Sequence, residues 1–101
     1  MREKMNSQDL HIKAISIADE AFIKKFSGQL DEAKLLFKEA LHYEKEAALS
    51  AQRDKIGEPS ISILLKSAAS LAINCDEFRE AEKLISIALY GDDLSAERGS
   101  R

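Results

Sequence analysis

Apolar residues in the first third of the chain recur mostly at steps of three and four positions, the spacing that places them on one face of an α-helix. They are Leu10, Ile12, Ile15, Ile17, Ala18, Ala21, Phe22, Ile23 and Phe26. Asn6 or Ser7 can cap the start of this helix, with Asp9 in its first turn. Ser27 and Gly28 end the pattern, and the glycine is suited to a left-handed C-terminal residue. The sequence therefore predicts a first helix that ends just before Ser27.

A second amphipathic pattern begins at about Asp31 and continues into the low fifties. Charged residues alternate with its apolar stripe and are expected to face water. The stripe consists of Ala33, Leu36, Phe37, Ala40, Leu41, Ala47, Ala48 and Ala51. Residues 53–58 are mostly charged and include Gly57, so this segment is predicted to connect two helices. Because proline is tolerated only in the first turn of a helix, the third helix should begin at Pro59 or Ser60.

The third predicted helix extends to about Asn74 and is apolar around most of its circumference. Such a helix is usually buried within a bundle, although part of its surface can instead meet another chain. Its polar side is limited to Ser62, Lys66, Ser67 and Ser70. A fourth helix should begin after Asp76, which can cap it, and should end at Tyr90 before Gly91.

Four helices joined by short turns predict an all-α fold made of two antiparallel helical hairpins. A chain of 101 residues has no room for a second core. We expect one helical domain over residues 7–90, a disordered N-terminus over residues 1–6 and a flexible tail over residues 91–101.

The second half of the chain nearly repeats a part of the first. Residues 31–41 and 79–89 lie 48 positions apart and share five of eleven residues. With Gly28 ahead of the first copy and Ala69 and Phe78 ahead of the second, these segments resemble tetratricopeptide repeats, and residues 58–84 are also similar to uncharacterised bacterial proteins. The resemblance implies a right-handed, tetratricopeptide-like stack of hairpins that binds proteins or peptides and carries out no catalysis. The offset exceeds the 34 residues usual for that family.

The tetratricopeptide resemblance also implies where a partner binds. In that family the inner surface comes from the first helix of each hairpin, and the matching positions here are Phe22, Lys25, Phe26, Lys66, Ser70 and Asn74. Lys66 and Ser70 lie one turn apart and can point the same way. Ordinary solvent-exposed positions on a helix are the alternative interpretation of these polar residues.

Two hairpins are fewer than such arrays usually need, and the tail is too short and polar to serve as a capping helix. We therefore expect a homodimer paired across a two-fold axis through the fourth helix, with the third helix as a further candidate for the interface. The self-association residues predicted on this helix are Leu84, Ile87 and Tyr90.

Composition and charge argue against several classes of function. The formal net charge of −3, with basic residues scattered among carboxylates, gives no stripe for nucleic acid. The longest nearly uncharged run, residues 61–73, is too short to cross a membrane. A single cysteine, Cys75, excludes an internal disulfide and fits a reducing compartment. The expectation is a cytoplasmic protein that binds neither nucleic acid nor membrane.

Candidate chemistry is sparse, so we expect no enzyme, cofactor or bound metal. Glu39 and His42 have the Glu-x-x-His spacing of di-iron bundles, but that site needs a second such pair. A metal-binding bundle that uses Glu39 and His42 stays open as a minor alternative. A further alternative is a helical adaptor domain, because residues 18–21 with Gly28 and residues 32–33 resemble microtubule-interacting and trafficking domains. Those domains have three helices, so the second hairpin argues against this assignment.

Overall fold

The computed structural model describes residues 5–91, and over this range it contains four α-helices and no strand. The helices are α1 (Ser7–Phe26), α2 (Leu30–Arg53), α3 (Ser60–Asn74) and α4 (Phe78–Tyr90). This confirms the all-α fold, whereas the tetratricopeptide-like stack stays a prediction. The expected disorder over residues 1–6 and the expected flexible tail over residues 91–101 fall outside the described range, apart from residues 5, 6 and 91.

The start of α1 is fixed by a reciprocal pair of hydrogen bonds. The backbone N–H of Asp9 donates to Oδ1 of Asn6 at 2.8 Å, and the Asp9 carboxylate accepts from the N–H of Asn6 at 3.3 Å. This arrangement satisfies two backbone donors that the helix itself leaves without partners. Of the two predicted caps, Asn6 is the one used, and Ser7 is the first helical residue.

The α1–α2 turn and the α3–α4 turn have closely similar backbones. Gly28 follows α1 in the left-handed region at φ 84°, and Asp76, which lies 48 positions later, follows α3 at φ 64°. The N–H of Gln29 donates to the carbonyl of Lys24, as the N–H of Glu77 does to Ala72. These are the bonds of a Schellman helix end. The prediction that Asp76 caps α4 was wrong, because Asp76 terminates α3 and Glu77 occupies the cap position.

Each helix packs against the next one along the chain, so α2 and α3 lie in the interior of the series. Small residues make up most of the contact surfaces, which lets the helix backbones approach closely. The buried alanines are Ala14, Ala18, Ala21, Ala33, Ala40, Ala47, Ala48, Ala51, Ala68, Ala69, Ala72 and Ala81. Larger side chains, among them Phe37, Leu65 and Leu84, fill the spaces between helices.

The predicted buried face agrees with the structure more closely for α2 than for α1. Every residue of the α2 stripe is buried or half-buried. On α1, Ala18 and Ala21 are buried, but Ile12 and Ile23 are more than half exposed, because only α2 packs extensively against this helix. Most of the apolar surface of α3 is buried, as expected for an inner helix, while Ile63 and Ile73 remain exposed. None of the four helices has the length and apolar character needed to cross a membrane, as judged for residues 5–91.

Candidate functional site

The three partner-binding residues predicted on α1 form an aromatic edge at the end of that helix. The rings of Phe22 and Phe26 stack with centroids 6.1 Å apart. Phe22 also meets the buried ring of Phe37 edge-on at 4.9 Å, so it is half-buried and held in place. Phe26 is 80% exposed, and the ammonium of Lys25 lies 5.9 Å from the Phe22 ring. The end of α1 therefore presents an apolar surface beside a positive charge.

A hydrogen bond joins this edge to α3. Nζ of Lys25 donates to Oδ1 of Asn74 at 3.1 Å. The amide of Asn74 in turn donates through Nδ2 to the backbone carbonyl of Ser70 at 3.0 Å. The C-terminal ends of α1 and α3 are thus linked, and the predicted residues of both helices lie on one connected surface.

The three predicted residues on α3 line a groove of about 370 Å³ between α3 and α4. Lys66, Ser70 and Asn74 contribute its polar part. Its apolar part comes from Ala69, Ile73 and Ile85, and the last two side chains are 49% and 40% exposed. Ile85 was not predicted from the sequence. Its signal was the near-repeat, in which Ile85 occupies the position of Phe37.

The residues predicted for self-association do not share a surface. Leu84 and Ile87 are buried within the single chain, whereas Tyr90 is 76% exposed. A second chain therefore cannot reach two of these three residues, because they already pack inside the molecule. Besides Tyr90, α4 exposes Phe78, Ile85 and Leu89, which follow each other at seven- and four-residue steps on one helix face. We call these three residues the α4 stripe.

Ion pairs connect the second hairpin with α2. Lys34 lies 2.6 Å from Asp76, and Lys45 lies 2.6 Å from Glu80. The hydrogen bond and charge of Asp76 raise the pKa of Lys34. Burial raises the pKa of Glu80, but its contacts with Lys45 and Lys83 outweigh this effect, so the net shift is downward. Within residues 5–91, Lys66 takes part in none of the ion pairs, so its charge is available at the groove.

The carboxylate that contacts a histidine belongs to Glu44, and not to the Glu39 that the sequence pattern indicates. His42 packs edge-on against the ring of Tyr43, with centroids 5.3 Å apart. Glu44, which the sequence analysis did not single out, is fully buried. Both of its carboxylate oxygens lie 2.9 Å from Nδ1 of His11. The described part of the chain holds no group of three or more His, Cys, Asp or Glu residues that could hold a metal ion.

Cys75 is a packing residue at the end of α3. Its thiol is buried and donates to the backbone carbonyl of Ala72 at 3.5 Å. Burial, with a smaller effect of the Glu77 charge, raises the pKa of this thiol. The thiol therefore stays protonated at neutral pH and is a poor nucleophile.

Comparison of this chain with protein-family models, with curated proteins and with solved structures gives no match in any of the three.

Proposed function

We propose that this protein is a non-enzymatic protein-interaction module that binds a helix or peptide along the α3–α4 groove and self-associates through the α4 stripe. The observation that carries this proposal is the exposed stripe itself. On α2, the residues in register with Ile85 and Leu89 are Phe37 and Leu41, and both are buried. The same face is therefore covered on one helix and uncovered on the other.

The groove has the chemistry of a site for an amphipathic helix or peptide. Ile73 and Ile85 supply an apolar floor, and Ile85 also belongs to the α4 stripe, so the two surfaces are continuous. Lys66 lies at the groove and forms no ion pair with the rest of residues 5–91, which suits a carboxylate on the partner. Apolar anchors surrounded by polar groups are the usual composition of a helix-binding groove.

A second copy of the chain is the partner that we propose for the α4 stripe. In a stack that continued head to tail, α1 of the next copy would cover α4 as α3 covers α2. The buried α3 residues Ala68 and Ala72 correspond on α1 to Glu20 and Lys24, which are charged. Burying these charges against an apolar stripe is unfavourable, so pairing of the stripe with itself across a two-fold axis is favoured.

Sedimentation equilibrium at tens of micromolar tests the proposal. The wild-type chain is expected to be a dimer, and Leu89→Glu is expected to be a monomer because it places a charge within the apolar interface. Leu89 is 66% exposed, so the substitution should leave the fold of the single chain intact. Ser86→Glu adds the same charge to the same helix beside the stripe and should still dimerise.

Two results would count against this function. A wild-type monomer at these concentrations would remove self-association. Equal dimerisation of wild type and Leu89→Glu would show that the chains associate through another surface. Circular dichroism of each variant verifies that the helices remain formed.

A further inference from the structure

A separate cleft lies at the opposite end of the molecule from the Lys25–Asn74 bond. It forms where the start of α1, the end of α2 and the start of α3 meet, and its volume is about 360 Å³. This volume falls within the range of small-molecule sites, which begins at roughly 300 Å³. The described lining consists of Ser7, Gln8, His11, Ala51, Ile56, Ser60, Ile63 and Leu64.

His11 is held in the cleft by a buried carboxylate. Glu44 is fully shielded from solvent, and both of its oxygens lie 2.9 Å from Nδ1 of His11. A buried carboxylate is costly unless it is paired, so this contact strongly favours one orientation of the imidazole. The side chain of His11 is 36% exposed, and its second nitrogen, Nε2, is the one left for a ligand. A carboxylate behind a histidine is a common way to orient an imidazole toward a bound group.

The polar part of the described lining is suited to an anion. It contains two serine hydroxyls, one amide and the imidazole, but no carboxylate. When the ring is protonated both nitrogens donate, so Nε2–H can donate to a ligand while Nδ1–H donates to Glu44. Ser7 and Ser60 are the first residues of α1 and α3. The carboxylates of Asp9 and Glu58 already accept backbone N–H groups at these two helix starts, so the donors that we assign to a ligand are the imidazole and the two hydroxyls.

The remaining lining is apolar. Ile56 and Ile63 are each more than half exposed, whereas Leu64 and Ala51 are buried beneath them. Exposed isoleucines beside buried leucine and alanine offer a surface for a hydrocarbon chain, and covering them removes apolar area from water.

From this combination we propose that the cleft binds an apolar chain that ends in a carboxylate. The carboxylate accepts hydrogen bonds from Nε2 of His11 and from the hydroxyls of Ser7 and Ser60, and the chain lies over Ile56 and Ile63. Two sources share this chemistry, namely a medium-chain fatty acid and the C-terminus of an apolar peptide. The site is independent of the α4 stripe and of dimerisation.

Binding is measured by NMR titration of the full chain at pH 6.0. The probes are octanoate and the peptide N-acetyl-Ala-Leu-Leu, each compared with its neutral counterpart, octanamide or the amidated peptide. We expect amide shifts concentrated at Ser7, His11 and Ser60, and at least tenfold weaker binding of the neutral compounds. Whichever acid binds more tightly identifies the source.

Two variants keep the proposal falsifiable. His11→Asn can still donate to Glu44 from the position of Nδ1 but lacks Nε2, and it should weaken binding of the acid at least tenfold. Ile63→Glu should also abolish binding because it places a negative charge in the cleft. Ile73→Glu is its control, since it adds the same charge to the other groove bounded by α3. Equal binding of acid and amide, unchanged binding by His11→Asn, or no binding at 10 mM would each overturn the proposal.

Discussion

The pairing of Glu44 with His11 predicts an unequal response to substitution. Replacing His11 with alanine leaves a carboxylate that is fully buried and has lost its partner. Removing one partner of a buried ion pair generally costs about 3–5 kcal/mol. The imidazole is 36% exposed, so solvent screens part of the interaction, and we expect a loss of about 3 kcal/mol for His11→Ala.

Replacing both residues should be far less damaging than replacing one. In His11→Leu/Glu44→Leu no charge is left in the interior, and apolar side chains of similar size fill the space between α1 and α2. Substitution of a buried ion pair by hydrophobic residues is often neutral, or stabilising by about 1–4 kcal/mol. The double variant should therefore be at least as stable as wild type, and the two substitutions should be strongly non-additive.

Urea unfolding followed by circular dichroism measures these differences. For a domain of this size a loss of about 3 kcal/mol lowers the unfolding midpoint by about 1–3 M. His11→Asn keeps a donor for Glu44 and serves as the matched control, with a loss expected below about 1.5 kcal/mol. The reasoning is refuted if His11→Ala costs less than 1 kcal/mol, or if the double variant is less stable than both single variants.

Three further predictions concern stability. Lys55 has a left-handed backbone at φ 54°, so Lys55→Gly should raise the free energy of unfolding by about 1 kcal/mol, and an unchanged urea midpoint would contradict this. Burial raises the pKa of Glu80, but Lys45 and Lys83 lower it below 4.5 overall. The ionised Glu80 therefore stabilises the folded chain above pH 4.5, and this contribution is lost as the pH falls through the lower pKa of the folded state. The urea midpoints of wild type and Glu80→Gln should therefore become equal as the pH is lowered. A difference that stays constant down to pH 2 would show that ionisation of Glu80 does not stabilise the fold. Ala47→Leu should cost about 1–3 kcal/mol by overpacking, because Ala47 is fully buried, and a melting temperature equal to wild type would show that its helix contact is loose.

Most of the fold could be predicted because helix periods, caps and breakers act locally. The end of α1 at Ser27-Gly28 and the start of α3 after Pro59 both follow from backbone preferences of single residues. The role of Asp76 could not be predicted in this way. A residue with a carboxylate just before a helix suggests an N-cap, yet here its left-handed backbone closes the preceding helix and its carboxylate pairs with Lys34.

The candidate site was less predictable because burial depends on which helices become neighbours. The sequence pattern predicts that Leu84 and Ile87 contact a second chain, but their side of α4 faces the core. Glu44 carried a signal that was missed. It lies three residues after Leu41 and three before Ala47, in the middle of the buried stripe of α2, and a carboxylate at such a position requires a partner. Only the packing of α1 against α2 shows that this partner is His11.

The ion pairs between α2 and the second hairpin bear on the two-fold pairing that we propose. Lys34 and Lys38 on α2 pair with Asp76 and Glu77 in the turn between α3 and α4.

The same contact between two copies would bring residues at the corresponding positions together. On α4 these are Glu82 and Ser86, and in the turn of the next copy they are Gly28 and Gln29. Neither pair joins opposite charges, so the two exposed ion pairs seen between α2 and the second hairpin have no counterpart in a head-to-tail contact. An interface that lacks these ion pairs has less to fix its register. The charges at these positions and the charged residues of α1 thus both favour the two-fold pairing that we propose for the α4 stripe over a head-to-tail contact.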